Sequence, residues 1–260
     1  MTTTTFSPAR TAHLARWNAT LLSRNRLALT YALVMPLAPL LILRTGEPGD
    51  PAVGASAVGL MLLLAGLFPV YYNILSQFVS RRDELVLKRM RTGEARDGEL
   101  LAGIALPGVL CALAVCAVAV PVAVAAGQRM PVNIALFAVG CLLAAVMFAA
   151  LAYWTAAWTR SAEAAQLTSM PVIILASLGP FVSAGVSDAV REIVSYTPGA
   201  ALTELVRVAW FGFDGHDAAT STLDLAGTWG AAAQPLAVTA AWTVLAVLLA
   251  SRSLRWEPRA

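Results

Sequence analysis

The densest chemistry in the sequence lies in SQFVSRRDELVLKRMRTGEARDGE, Ser76 to Glu99, where six Lys/Arg and five Asp/Glu side chains share one segment. Charge at this density forms ion pairs or meets a charged surface; nothing around it supports covalent or hydrolytic work. The only lysine, Lys88, follows Leu87, so the chain has no G-x-x-x-x-G-K-[ST] loop to cradle a nucleotide phosphate. Its histidines, His13 and His216, stand outside the long apolar runs, which excludes a His-based zinc or proton-transfer centre within them. Cys111, Cys116 and Cys141 sit inside such runs without metal-ligand spacing and read as small apolar side chains. The expectation is no catalytic residue, no metal, no cofactor bound by this chain and no nucleic-acid partner.

The elements that must hold this segment are set by composition. At 58% apolar and 13% charged residues, with a mean hydropathy of +0.71, the chain departs from globular usage toward that of an integral membrane protein. A bilayer core takes about 20 apolar residues as a helix. Uncharged runs of that order predict six spans: Leu27–Leu43, Val53–Val79, Leu101–Ala126, Pro131–Thr159, Leu167–Ser187 and Ala231–Ala250. Connecting segments assigned inside carry fourteen of the eighteen Lys/Arg, and those assigned outside carry Arg44, Arg129, Arg191 and Arg207. The positive-inside rule therefore places both termini in the cytoplasm. The expected fold is all-α: a cytoplasmic amphipathic segment 1–26, a six-span domain 27–250, and a cytoplasmic tail 251–260.

None of the six predicted cores contains Asp, Glu, Arg or His, which ion-coupled carriers keep at membrane depth. Leu14, Trp17, Leu21 and Leu22 recur at helical spacing near the N-terminus and predict an amphipathic helix on the inner leaflet, its arginines toward anionic lipid. Pro36 and Pro39 predict a kink in the first span. Toward the end of the second span, Tyr71 and Tyr72 fit an interfacial belt. Tyr72, Asn73 and Gln77 also fit the wall of a substrate path, since Asn73 and Gln77 lie one turn apart on one face. The external segment 188–230 contains SYTPGAALTELVRVAWFGF, with Thr197 as N-cap and Pro198 at the first helical position. Leu202, Leu205, Val206 and Ala209 form its apolar face, apart from Glu204 and Arg207, so this helix reads as interfacial or re-entrant.

Within the charged segment, taken as 80–99, Ser80 with Asp83 three residues on fits a capping pattern, Glu84 and Lys88 form an i,i+4 pair, and Gly93 fits a C-cap. A short amphipathic helix at the inner membrane surface follows, whose bland role is to stop translocation and bind anionic lipid. The run ELVLKRMRTG, Glu84 to Gly93, after a second span, with an amphipathic N-terminal helix and a proline-started helix before the last span, resembles the membrane subunits of type-2 ABC exporters. The nearest likeness is to bacterial drug, antibiotic and polysaccharide export permeases. That resemblance implies a coupling helix that docks into a cleft on a separate ATP-binding subunit through Arg81, Arg82, Asp83, Glu84, Leu85, Lys88, Arg89 and Arg91. It implies ATP and Mg²⁺ on that partner, a permease homodimer or a heterodimer with a paralogue, contact with membrane lipid, and no enzymatic activity here. Many relatives carry a proline after the Thr/Ser position, where this chain has Thr92-Gly93-Glu94.

The leading expectation is the permease subunit of an ABC exporter in a bacterial cytoplasmic membrane, moving an amphipathic or apolar, drug-like compound outward by alternating access. Lipid or polysaccharide export, an ATPase-independent secondary carrier, and an immunity protein that sequesters a toxic compound compete with it.

Overall fold

The computed structural model describes residues 6–45, 47–91, 96–161, 163–181, 187–214, 222–254 and 256. Helix α1 (Pro8–Arg24) precedes five helices long and apolar enough to cross a membrane: α2 (Arg26–Arg44), α3 (Pro51–Asp83), α5 (Asp97–Ala125), α6 (Ile134–Trp158) and α11 (Ala233–Ser253). Shorter helices fill the gaps: α4 (Val86–Arg91), α7 (Met170–Phe181), α8 (Asp188–Ser195), α9 (Pro198–Val206) and α10 (Leu225–Ala231). The expected fifth span, Leu167–Ser187, holds the shorter apolar helical run Ala165–Gly179, which leads into α7. Residues 182–186 of that span lie outside the described residues.

The hub is α3. Inward positions fill 72% of its most apolar window, against 28% for α2 and for α11, which stand at the periphery. Pro69 cannot donate a backbone hydrogen bond and crowds the carbonyl one turn back, and the helix meets this by widening into a π-helix over Gly66–Tyr72. Tyr71 then points inward, fully buried, and its hydroxyl donates to Thr155 Oγ1 at 3.0 Å. It is a packing residue, so only Tyr72 keeps the position a belt or path residue needs. In α2 the prolines act as expected, in another form: the α-helix ends at Leu37 and the chain tightens into a 3₁₀ segment from Ala38 to Arg44.

The proline-started helix α9 is not on a surface. Thr197 is its N-cap and Pro198 its first residue, and Ala201, Leu202, Leu205 and Val206 are buried against α3, α6, α7 and α11. The chain continues as a π-turn, Arg207–Phe211, and ends on Gly212 in the left-handed region, φ 66°. Such an end leaves carbonyls without helical partners, which a buried site must satisfy. The connection between α5 and α6 does so: Val132 N–H donates to Trp210 O at 3.1 Å, Asn133 N–H to Ala209 O at 2.9 Å, and Arg129 to Phe211 O. Trp210 Nε1 returns a bond to Arg129 O at 3.0 Å.

Helices α7 and α9 cross at near backbone contact. A Cβ on Gly199 would fall 1.8 Å from Ala176 O, and one on Gly179 would fall 2.3 Å from Ala200 Cα. Neither clash involves a side chain that could swing away. Gly199→Ala is expected to force the helices apart and cost about 1–3 kcal/mol, read as a lower midpoint of heat-induced aggregation in detergent.

Candidate functional site

The residues expected to couple to a partner divide at the end of α3. No breaker stands between Ser76 and Asp83, so α3 runs through Ser80, which is therefore no N-cap. The break comes one step later, at Glu84 and Leu85. Leu85 takes φ 59°, the one described non-glycine residue with positive φ, at a cost of about 1–2 kcal/mol. Glu84 N–H donates to Ser80 O and Leu85 N–H to Arg82 O, both at 3.0 Å, closing the first helix before α4 begins. Leu87 is fully buried in the main core and seats α4, while Lys88 and Arg89 are exposed, as are Asp83, Glu84 and Leu85. The Arg91 side chain and Thr92-Gly93-Glu94, with the expected Gly93 cap, lie outside the described residues.

Arg81 and Arg82 turn inward instead, in different directions. Arg82 is fully buried; Nη1 donates to Ala156 O at 2.8 Å and Nη2 to Thr159 O at 2.6 Å, with the Asp83 carboxylate 3.5 Å from Nε. Those carbonyls end α6, where a helix exposes unpaired acceptors and the negative end of its dipole, so a guanidinium suits them. Arg81 instead donates to Asn18 Oδ1 of α1 and to Gln77 Oε1 at 3.0 Å.

Helix α1 is consequently held by protein as well as by any lipid. It lies along α5, where Asn18 Nδ2 donates to Gly103 O at 2.6 Å and Leu14 packs on the bare Cα of Gly103. At its start, buried Glu99 accepts from Arg10 Nε and Nη2 at 2.9 and 2.8 Å, from Ser7 N–H at 2.5 Å and from Arg96 N–H at 3.1 Å. Trp17 and Leu21 remain exposed. Arg10, Asn18 and Glu99 were not among the expected site residues; the one available signal was an acid in the first turn of a span, at the distance a helix dipole favours.

Tyr72, Asn73 and Gln77 do come together. They line a cavity of about 760 Å³ between α1, α2, α3 and α7, with Tyr31, Phe68 and Met170 among its apolar walls and Arg81 at its polar end. Gln77 Nε2 donates to Asn73 Oδ1 at 2.7 Å. Glu204 and Arg207 lie far along the chain from these groups and pair with each other at 3.1 Å, the guanidinium 5.0 Å above the Phe213 ring. Among the described residues no three His, Cys, Asp or Glu side chains converge as metal ligands.

No curated protein matches the chain. A family model, described as ABC-2 family transporter protein, matches residues 40–252, from the end of α2 through α11, and so takes in α3, α4 and α9. The chain belongs to the ABC-2 transporter family, whose members are membrane components of a transport system, and its long apolar helices fit a multi-pass membrane protein.

Proposed function

We propose that the chain is the permease half of an ATP-driven exporter, assembled as two permeases, identical or paralogous, with two ATP-binding subunits in a bacterial cytoplasmic membrane. ATP and its Mg²⁺ belong to the partner, since this chain has no phosphate loop. Both termini and α4 face the cytoplasm, in keeping with the Lys/Arg distribution, and α9 is a re-entrant element entering from outside. The observation that carries this reading is α4 itself: a short helix seated by buried Leu87 that presents Lys88 and Arg89 outward beyond a fixed helix end. The docking surface is then Asp83, Glu84, Leu85, Lys88, Arg89 and Arg91, while Arg81 and Arg82 tie that surface to the bundle. Closure of the ATPase pair on ATP moves α4, and α3 carries the movement to the cavity, whose exposure alternates. The cargo is an amphipathic or apolar compound, because the cavity walls are largely aromatic and aliphatic.

Co-purification with a co-expressed ATP-binding subunit tests the docking role. The double variant Lys88→Glu, Arg89→Glu is expected to lose the partner by about 100-fold or more in apparent affinity, as charge reversal within an interface does, while eluting as the wild type does. Undiminished assembly would overturn it.

A further inference from the structure

A second concave site lies on another flank of the bundle. Helix α11 packs along α6, and α5 packs against α1, α2, α3 and α6, so that α5 and α11 part toward their cytoplasm-proximal ends. Between them runs a groove of about 600 Å³ that shares no residue with the cavity of Tyr72, Asn73 and Gln77. Its space comes from short side chains, Ala102, Ala105 and Ala149, where longer ones would close the gap. Val146 and Val247 line it while 39% and 45% exposed, so it opens sideways into the membrane.

The groove is polar at one end only. Asp97, Tyr153, Ser251 and Trp256 gather at its mouth, and Val109 and Val146 close its far end. From Asp97 to Val109, α5 rises about 18 Å at 1.5 Å per residue, which takes the groove from the interface to the midplane of a core about 30 Å thick. Its mean cross-section over that depth is about 33 Å², roughly a third of what a helix 10–12 Å across fills. An extended hydrocarbon chain fits where a partner helix does not. At the mouth, Trp256 sits at headgroup level, as interfacial tryptophans do, held by Phe78 of α3 with ring centroids 5.8 Å apart. The one charged side chain that lines the groove is the Asp97 carboxylate. A carboxylate has about four acceptor positions, so it can serve a ligand alongside its contacts within the protein. Arg252, exposed next to Ser251, puts the opposite charge beside the mouth.

We propose that this groove holds one acyl chain of an inner-leaflet phospholipid with an ammonium headgroup, phosphatidylethanolamine in kind. The leaflet follows from the orientation proposed above. The ammonium meets Asp97, the phosphate meets Arg252, and the chain lies over the alanines of α5 and α6.

The test uses phosphatidylethanolamine and phosphatidylglycerol that carry the same diazirine-bearing acyl chain. Each is added in low molar excess to the full chain in detergent micelles, and the photo-adducts are mapped by peptide. Phosphatidylethanolamine is expected to label 101–109 and 247–254 about tenfold more than Val118 and Val122, which are exposed on α5 beyond the groove. It should exceed phosphatidylglycerol in the groove by about threefold, the scale of one exposed ion pair. Asp97→Asn should bring the two lipids level while both still label. Ala105→Phe and Val247→Trp each fill the groove, from α5 and from α11, and should lower its labelling to that of Val118 and Val122; either variant suffices if the other does not fold. Even labelling of all outward faces, or groove labelling that a folded filling variant leaves unchanged, overturns the site. Equal labelling by the two lipids, a preference for phosphatidylglycerol, or a preference that survives Asp97→Asn overturns the ammonium assignment. Labelling in micelles is blind to orientation and to any ATPase, so either failure leaves the exporter reading standing.

Discussion

Arg82→Ala is expected to cost the fold about 3–5 kcal/mol. The side chain is fully buried and gives charged bonds to two carbonyls at the end of α6, 2.8 and 2.6 Å away. Bonds of that kind contribute about 1.5–3 kcal/mol each, and an alanine leaves both acceptors dry above an empty volume. Arg82→Met restores most of the volume without the donors and should recover a part of the loss. Arg82→Lys keeps the charge but reaches one acceptor and should recover more. The measurement is the temperature at which each purified variant loses its monodisperse peak, expected in the order wild type, Lys, Met, Ala. If Met equals the wild type, water satisfies those carbonyls and Arg82 only fills space.

The same residue shows what the sequence could and could not reveal. Long apolar helices were legible because a run of twenty uncharged residues has few other uses, and the ends of α9 were legible because Thr-Pro is a local signal read without knowledge of packing. Consecutive arginines are not legible in that way. Arg81 and Arg82 sit about 100° apart around α3, so one faces α1 and the other α6, and nothing in RRDELVLKR marks which cation turns inward. The buried stripe of α1 was hidden for a related reason. It includes Thr11 and Asn18, polar residues that pattern reading assigns to water, while Trp17 and Leu21, read as the apolar side of a helix on the inner leaflet, are exposed. The break at Leu85 escaped because its cause is tertiary: Leu87 must reach the core and Arg82 must reach α6, and the residue between them takes the left-handed conformation that a glycine would take at less cost.

Placed together, these contacts leave the base of α3 with little independent freedom. Arg81 bonds it to α1, Arg82 bonds it to α6, and Leu87 seats the next helix in the core. A displacement imposed on α4 therefore reaches α1 and α6 as well as the cavity that Gln77 and Asn73 line. The strength of that link depends on α1 staying in place, and α1 is fixed at its start by one carboxylate.

Glu99→Gln is expected to release α1. The carboxylate takes both parallel bonds of the Arg10 fork and two backbone N–H groups, so every acceptor position it has is used. A neutral amide accepts through one oxygen and turns its own N–H₂ toward donors, so the Arg10 fork loses its carboxylate and at least one N–H goes unpaired. Arg10, Arg16 and Arg24 make α1 a trypsin substrate once it lifts. Cleavage that depends on transient opening follows the open population, so the rate at these three sites should rise about tenfold or more in Glu99→Gln. Arg10→Lys, which keeps the charge and loses the fork, should fall between the two. Trp17 and Leu21, exposed on the outer face, would still hold the freed helix to lipid, so the variant is expected to remain membrane-bound and to elute normally. Cleavage at the wild-type rate would mean that the Asn18–Gly103 and Leu14 contacts suffice to hold α1, and that the Glu99 carboxylate serves only to cap α5.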